Sequence, residues 1–427
     1  MPDQTRPRGR RGLARHGRLR RRGPAGALVT IVASSLAVLL VSGASLAAIA
    51  VRDVTSSVST VSLGNEAQVE DESIEAITGG ANILLVGSDE RADQSSATAD
   101  TSIEGQRNDV TILVHLSQDH SQLTAVSIPR DTMVDLPACT GEDGTAYPAE
   151  TYVQFNTSLE NGGLSCTVAT VEAMTGLTIP YAGKITFDGV IEMSNALGGV
   201  DVCVAEPISD RDTGLSLDAG THSLQGGQAL QFLRTRYGVG DGSDLARINS
   251  QQVFLSAMMR KIISGGTLSN VATLYKLASA ALSNMQLSST LSSPDTLVKL
   301  ALALKDLQPA DIVFVQYPVV DDPRNSAKVV PSTADAQLLN DALAADTPFT
   351  LGDAATGRGS EADPAAPVPA PAATTAPTAP STATAAPGAA STSEPTSPAA
   401  EPGAPAVLPS TITGQSAAEA TCSVGNG

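Results

Sequence analysis

"ANILLVGSDER" (81–91) sets the fold. Ile83 to Val86 form a short apolar run that Gly87 closes, the pattern of a buried strand followed by a turn. Two more β-rich runs follow, "DVTILVHLS" (109–117) and "QLTAVSIP" (122–129), separated by "QDHS", which reads as a hairpin-like connection. Helical patterns then enter. "SCTVATVEAMTG" (165–176) places Val168, Val171 and Met174 on one face and stops at Gly176. "YAGKITF" reads as a strand, "FDGVIEMSNALGG" as a helix and "VDVCVAE" (200–206) as an alternating strand. "GGQALQFLRTR" and "LARINSQQVFLSAMMRKII" read as helices, with two more between about 267 and 307. "DIVFVQYPVV" (311–320) is a strand and 332–345 a last helix. Strands and helices therefore intermix over 80–351, which predicts an α/β fold with a sheet covered by helices.

The flanks differ from this centre. Residues 1–22 carry nine arginines against one acid, Asp3, for a net +8; the whole chain is −18, so the remainder carries −26. That acidic bulk argues against nucleic-acid binding, which needs a basic surface. Residues 23–51 contain no charge. Their 29 residues exceed the roughly 20 that cross a bilayer, and the arginines before them orient that end to the cytoplasm. The expectation is a transmembrane helix at 23–51, with 1–22 cytoplasmic and 52–79 an extracellular stem. The rival is a cleaved signal peptide ending near Ala48-Ile49-Ala50, whose apolar core would be shorter than this one. Residues 352–408 are rich in Pro, Ala, Thr and Ser and read as a disordered linker or stalk, leaving a tail, 409–427, that carries Cys422. Outside the membrane the four cysteines, 139, 166, 203 and 422, are expected to form disulfides; three pairings are possible. If Cys422 pairs with the domain, the tail must loop back.

The chemistry gathers at strand mouths and in one loop. Asp89 follows the first strand. Arg107 and Asp109 precede the second, and Arg130 and Asp131 follow the third. "QALQFLRTRYGVGDGSDLARINSQQ" (228–252) adds Arg234, Arg236, Asp244, Arg247 and Gln251 around a glycine-rich turn. Each charge taken singly is as well read as a solvated strand end or a surface ion pair. Together they suit an anion: guanidinium forks match phosphate oxygens, and carboxylates such as Asp89 and Asp109 can hold Mg²⁺. No Ser–His or Cys–His arrangement, HExxH or P-loop is present. Phosphoryl transfer needs positioning and charge neutralisation, so a histidine-poor site is compatible with it. Arg234 and Arg236 do not share a helix face and could converge only where the helix ends, near Tyr237-Gly238.

In order and spacing, "NILLVGSDER", "RNDVTILVHL", "AVSIPRDTMVDLP", "GGLSCTVATVEAMTGLTI", "ALGGVDVCV" and "SLQGGQALQFLRTRYGVGDGSDLARINSQQ" resemble the LytR–CpsA–Psr family, in its actinobacterial form. The resemblance runs from about 81 to at least 265. It implies a central mixed β-sheet between helices in an α/β/α catalytic domain, here 80–351, behind one membrane anchor. It also implies a phosphotransferase that moves a glycopolymer from a polyprenyl-pyrophosphate carrier to peptidoglycan, with Mg²⁺ (or Mn²⁺) and an apolar pocket for the prenyl chain. By the same resemblance Asp89 and Asp109 are metal ligands, Arg107, Arg130, Arg234, Arg236 and Arg247 bind pyrophosphate, and Asp244 and Gln251 are the loop's other functional positions. Ser250 departs from the family, which often has arginine there. Asp241 has no counterpart and reads as a solvated loop acid. A pyrophosphatase using water as acceptor, a lipid-carrier binding module and a wall stalk protein are the alternatives.

Overall fold

A computed structural model of the protein describes residues 58–64, 79–88, 107–264, 271–352, 356–365 and 406–426. The basic segment, the apolar run 23–51, most of the stem, Asp89 and the middle of the linker lie outside the described residues. Among those described, no helix is long and apolar enough to cross a membrane.

The centre is an eight-stranded mixed sheet. Its strands are β1 (Ser59–Val61), β2 (Ala81–Ser88), β3 (Asn108–Leu116), β4 (Leu123–Ile128), β5 (Tyr181–Ile185), β8 (Met285–Ser288), β9 (Ile312–Gln316) and β11 (Gly414–Ser416), in the order β1-β8-β5-β2-β3-β4-β9-β11. The predicted hairpin is there: β3 and β4 pair antiparallel from Leu116↔Leu123 to Thr111↔Ile128. Beside the central sheet lies a four-stranded one made of β6 (Val200–Val204), β7 (Gly220–Leu224), β10 (Ser360–Ala362) and β12 (Thr421–Ser423), in the order β7-β6-β12-β10.

Period-two alternation sends the strand residues to two different faces. On one face Leu84, Val86, Leu113 and Ala182 are fully buried. They pack under α1 (Gly163–Thr175) and α7 (Thr333–Ala344), which contribute Leu164, Val168, Val171, Leu339 and Leu343. α1 stops where expected, because Gly176 takes a left-handed φ of 74° that a side chain would resist. The opposite face, with Leu85 and Ile112, lies under α2 (Phe187–Ala196), α3 (Gly227–Arg234) and α4 (Asp244–Ser264). Two further helices, α5 (Val271–Ser283) and α6 (Pro294–Leu304), flank β8.

Two flanking segments carry strands of the domain. Ser59–Val61, within the segment read as stem, is an edge strand parallel to β8. Ser360–Ala362 and Ala406–Leu408, at the two ends of the segment read as linker, are both strands of the domain. Residues 366–405, between these two strands in sequence, lie outside the described residues. The tail re-enters twice, as β11 antiparallel to β9 and as β12 parallel to β6. All four cysteines are bonded, Cys139–Cys166 and Cys203–Cys422. The second bridge is the loop back that Cys422 required.

Candidate active site

Between the second face of the sheet and helices α2–α4 lies a cavity of about 230 Å³. Its walls are apolar: Leu85, Ile112, Phe187, Val190, Leu233, Phe254 and Met258 among them. Asp109, Arg234, Arg247 and Gln251 line it as well, and a narrow polar cleft beside it adds Arg130 and Asp244. The cavity is greasy, with a set of charges among its lining. That combination suits a long apolar molecule with an anionic head.

Asp109 reaches the cavity through a register shift. β2 and β3 pair as Gly87↔Val110 and then Ser88↔Asn108, so Asp109 is the extra residue of a β-bulge. A bulge breaks strict alternation and re-aims a side chain. Asn108 turns to the packed side, where it donates to Thr111 Oγ1 at 3.2 Å, while Asp109 and Val110 both line the cavity. The bulged carbonyl of Asp109 accepts from Arg247 Nη2 at 2.8 Å.

Around it the charges form one partly buried network. Arg130 Nη1 donates to the Asp109 carboxylate at 2.5 Å. The Asp244 carboxylate accepts from the Arg130 backbone N–H at 3.1 Å and lies 2.6 Å from Arg247 Nη2. Burial alone would weaken the Arg130 proton affinity; Asp109 and Asp244 outweigh it and raise the pKa further above its ordinary value. Asp244 opens α4, where a carboxylate also meets the positive end of the helix. It therefore orients two arginines rather than facing the cavity itself. The Nε atoms of Arg130 and Arg247 are buried without a hydrogen-bond acceptor among the described residues, and that of Arg130 lies 3.7 Å from Asp244 Oδ1. Gln251 Nε2 donates to Leu233 O at 2.8 Å and ties α4 to the end of α3.

Arg234 and Arg236 part company. α3 ends at Arg234, earlier than the Tyr237-Gly238 boundary the sequence suggested, and Thr235 is extended. Arg234 lies over the Phe187 ring, 4.5 Å from its centroid, on the cavity wall. Arg236 turns away: its Nε donates to Gly242 O at 3.3 Å and its Nη2 lies 3.8 Å from Asp131. Asp131 also takes Lys328 Nζ at 3.0 Å and Gln154 Nε2 at 2.9 Å. Arg236 therefore belongs to a neighbouring ion cluster and not to the cavity lining. Arg107 is exposed, one residue before β3. The structure thus brings together Asp109, Arg130, Arg234, Asp244, Arg247 and Gln251.

Several contributors escaped the sequence reading. Phe187 provides the surface beneath Arg234. Asp210 holds the arginine loop: its carboxylate accepts the backbone N–H groups of Arg236, Tyr237 and Gly238. Burial works against its charge, but the N–H groups of Arg236, Asp212, Thr213 and Gly238 prevail and keep its pKa below the usual range. The only sequence signal was an aspartate before a turn, "SDRDTG", which is common in any loop. Ser250 is fully buried, and its Oγ meets Ser423 Oγ at 2.7 Å, so that position faces the C-terminal strand. Asp241 is half exposed and pairs with Arg358 at 3.2 Å.

The LytR_cpsA_psr family profile matches residues 48–344. The chain belongs to the LytR–CpsA–Psr family. Among its relatives is the cell wall biosynthesis protein LcpA of Corynebacterium glutamicum, 28% identical over 67% of this chain and 58% of that one. Another is TagT of Bacillus subtilis, named a polyisoprenyl-teichoic acid–peptidoglycan teichoic acid transferase. It is 31% identical over 42% of this chain and 52% of that one. The chain spans about half to three-fifths of the curated relatives it matches. A crystal structure of a Streptococcus agalactiae protein superposes with a TM-score of 0.50 at 22% identity, covering 63% of this chain and 88% of that one, which shows the shared fold. In this family member, one group of three or more metal-ligand side chains converges among the described residues: Cys203, Asp363 and Cys422. Both its sulfurs are in the disulfide, so it is no metal site.

Proposed function

We propose that this protein is a membrane-anchored phosphotransferase that moves a glycopolymer from a polyprenyl-pyrophosphate carrier to peptidoglycan. The observation that carries this reading is the apolar cavity lined at one part by Arg234, Arg247, Gln251 and Asp109, with Arg130 adjoining. The names of the relatives agree with it. The charge-free run 23–51 behind an arginine block supports a single-pass anchor, N-terminus cytoplasmic, with the domain outside the cell.

The prenyl chain occupies the cavity, stabilised by roughly 25 cal/mol per Å² of apolar area removed from water. Its pyrophosphate meets the guanidinium groups. A hydroxyl of the acceptor attacks the phosphorus that bears the glycan, and the bond from that phosphorus to the bridging oxygen breaks. Prenyl phosphate leaves with the electron pair, the hydroxyl proton passes to water, and a phosphodiester remains. Arg130 and Arg247, fixed by Asp244 and by the Asp109 carbonyl, meet the growing charge without reorganising. Arg234 guides the head group at the cavity wall.

Asp109 is a hard oxygen donor among arginines, and the four cysteines are tied up in disulfides. That donor set fits Mg²⁺, which takes one or two carboxylates and fills the rest of its shell with phosphate and water. Asp109, with Asp89, would hold the ion. When bound it would share the charge of the phosphate oxygens.

The test is the full chain in proteoliposomes, given a glycan-bearing polyprenyl pyrophosphate, a peptidoglycan fragment and Mg²⁺. The expected product is glycan joined to the fragment by a phosphodiester. Prenyl phosphate released at the same rate with water alone would make it a pyrophosphatase. Tight lipid binding with no product in either case would make it a carrier-binding module.

A further inference from the structure

The arginine loop is gripped from two sides. Asp210 takes its N–H groups on one side, as described. On the other side runs the stretch after β12, residues 424–426. Gly240 N–H donates to Val424 O at 2.9 Å, and Asn426 N–H donates to Gly238 O at 3.2 Å. Val239 and Gly425 pair as an isolated antiparallel bridge, and Asn426 Nδ2 donates to Tyr237 O. Four consecutive loop residues, 237–240, thus take their partners from three tail residues, 424–426.

The contact is close, and it is anchored. A Cβ on Gly425 would meet Pro207 O at 2.1 Å, and one on Gly240 would meet Arg358 O at 2.5 Å. Just upstream, β12 lies between β6 and β10, Cys422 is bonded to Cys203, and Ser423 O accepts from Ala205 N–H at 2.8 Å. The loop has little apolar anchorage of its own. Val239 is buried, but Tyr237 is 59% exposed. Its shape therefore rests on hydrogen bonds within the loop, to Asp210 and to the tail. It carries Arg236 and leads directly into Asp244, which orients two arginines, and into Arg247, which lines the cavity. The family profile ends at residue 344, so residues 424–426 lie outside the matched region.

We propose that Val424, Gly425 and Asn426 are positioning residues: this stretch after β12 completes the arginine loop and sets the grip on the anionic head group. This rests on reading the charged lining of the cavity as a pyrophosphate site. The tail touches no ligand. It acts through the loop, so its loss weakens binding of the head group and leaves the apolar cavity alone.

The experiment compares the full chain with one ending at Ser423, which keeps β12 and both disulfides. Affinities for farnesyl pyrophosphate and for farnesol are measured by calorimetry, alongside thermal melting and thiol counting. The expected result is a loss of about tenfold or more in affinity for the pyrophosphate, the scale of one charge-assisted hydrogen bond. Farnesol affinity should be unchanged, the fold retained and free thiols absent. If the shortened chain discriminates between the two ligands as well as the parent, the positioning role is overturned. If it loses both affinities together, the tail is only structural and the inference falls. Should the shortened chain fail to fold, Asn426→Ala, which removes a single side-chain donor, carries the same comparison. A parent that binds farnesol and farnesyl pyrophosphate alike would overturn the site reading itself, a different outcome from failure of the tail's role.

Discussion

The two faces of the central sheet are made by the same strands and end in opposite states. Leu113 and Ile112 are neighbours on β3. Leu113 points into a core that α1 and α7 fill completely, while Ile112 points into the cavity under α2–α4. Protein interiors normally close such gaps, because lost packing costs roughly 24 cal/mol per Å³ of void. The first face is closed by packing; the second leaves a cavity of about 230 Å³. The charges follow the same division. The bulge at Asp109 and the end of α3 at Arg234 both deliver their side chains to the open face.

The largest test of that contrast is a pair of truncations on β3. Leu113→Ala should cost about 2–5 kcal/mol in denaturant unfolding. Ile112→Ala should cost less, about 1–2 kcal/mol, because its methyl groups already border open volume. Equal losses would mean the two faces are packed alike. Next comes Arg130→Ala, which should lower turnover by about 10²–10³-fold, the effect of removing one preorganised donor. Arg130→Lys should recover little of it, since an ammonium cannot reproduce the fork that meets Asp109 and a phosphate together. Filling the cavity should reverse the usual sign of a core change: Val190→Phe should raise stability by about 1 kcal/mol while weakening prenyl-lipid binding. A melting curve and a lipid-binding isotherm decide it, and a destabilised Val190→Phe chain would argue that the space is not there to be filled. The smallest effect belongs to Arg234→Lys. Its stacking on Phe187 is worth about 0.5–1 kcal/mol, so head-group affinity should fall about two- to fivefold with stability unchanged.

The sequence made one face easier to read than the other. The runs 83–86, 109–117 and 122–129 declared strands by their apolar, β-rich composition, and Gly176 declared the end of α1. The bulge could not be seen, because register belongs to a pair of strands and "RND" holds no trace of its partner. The carbonyl of Asp109 that receives Arg247 was hidden for the same reason. The short strands "GQS" (414–416) and "TCS" (421–423) lack any apolar run. They are strands because β9 and β6 offer them partners. Nor could motif spacing separate Arg236 from Arg234. What divides them is the extended conformation of Thr235, which sends one to Phe187 and the other toward Asp131.

The bridge between Cys203 and Cys422 spans 219 residues of sequence and encloses the whole of 366–405. That stretch holds no lysine or arginine, so trypsin has no site in it, but it is rich in alanine. An elastase-type protease cutting there would divide the protein into two polypeptides without separating them. The smaller would stay in place as three strands of three different sheets, fastened through one disulfide. A non-reducing gel should show a single band of unchanged mass, and reductant should release the C-terminal piece.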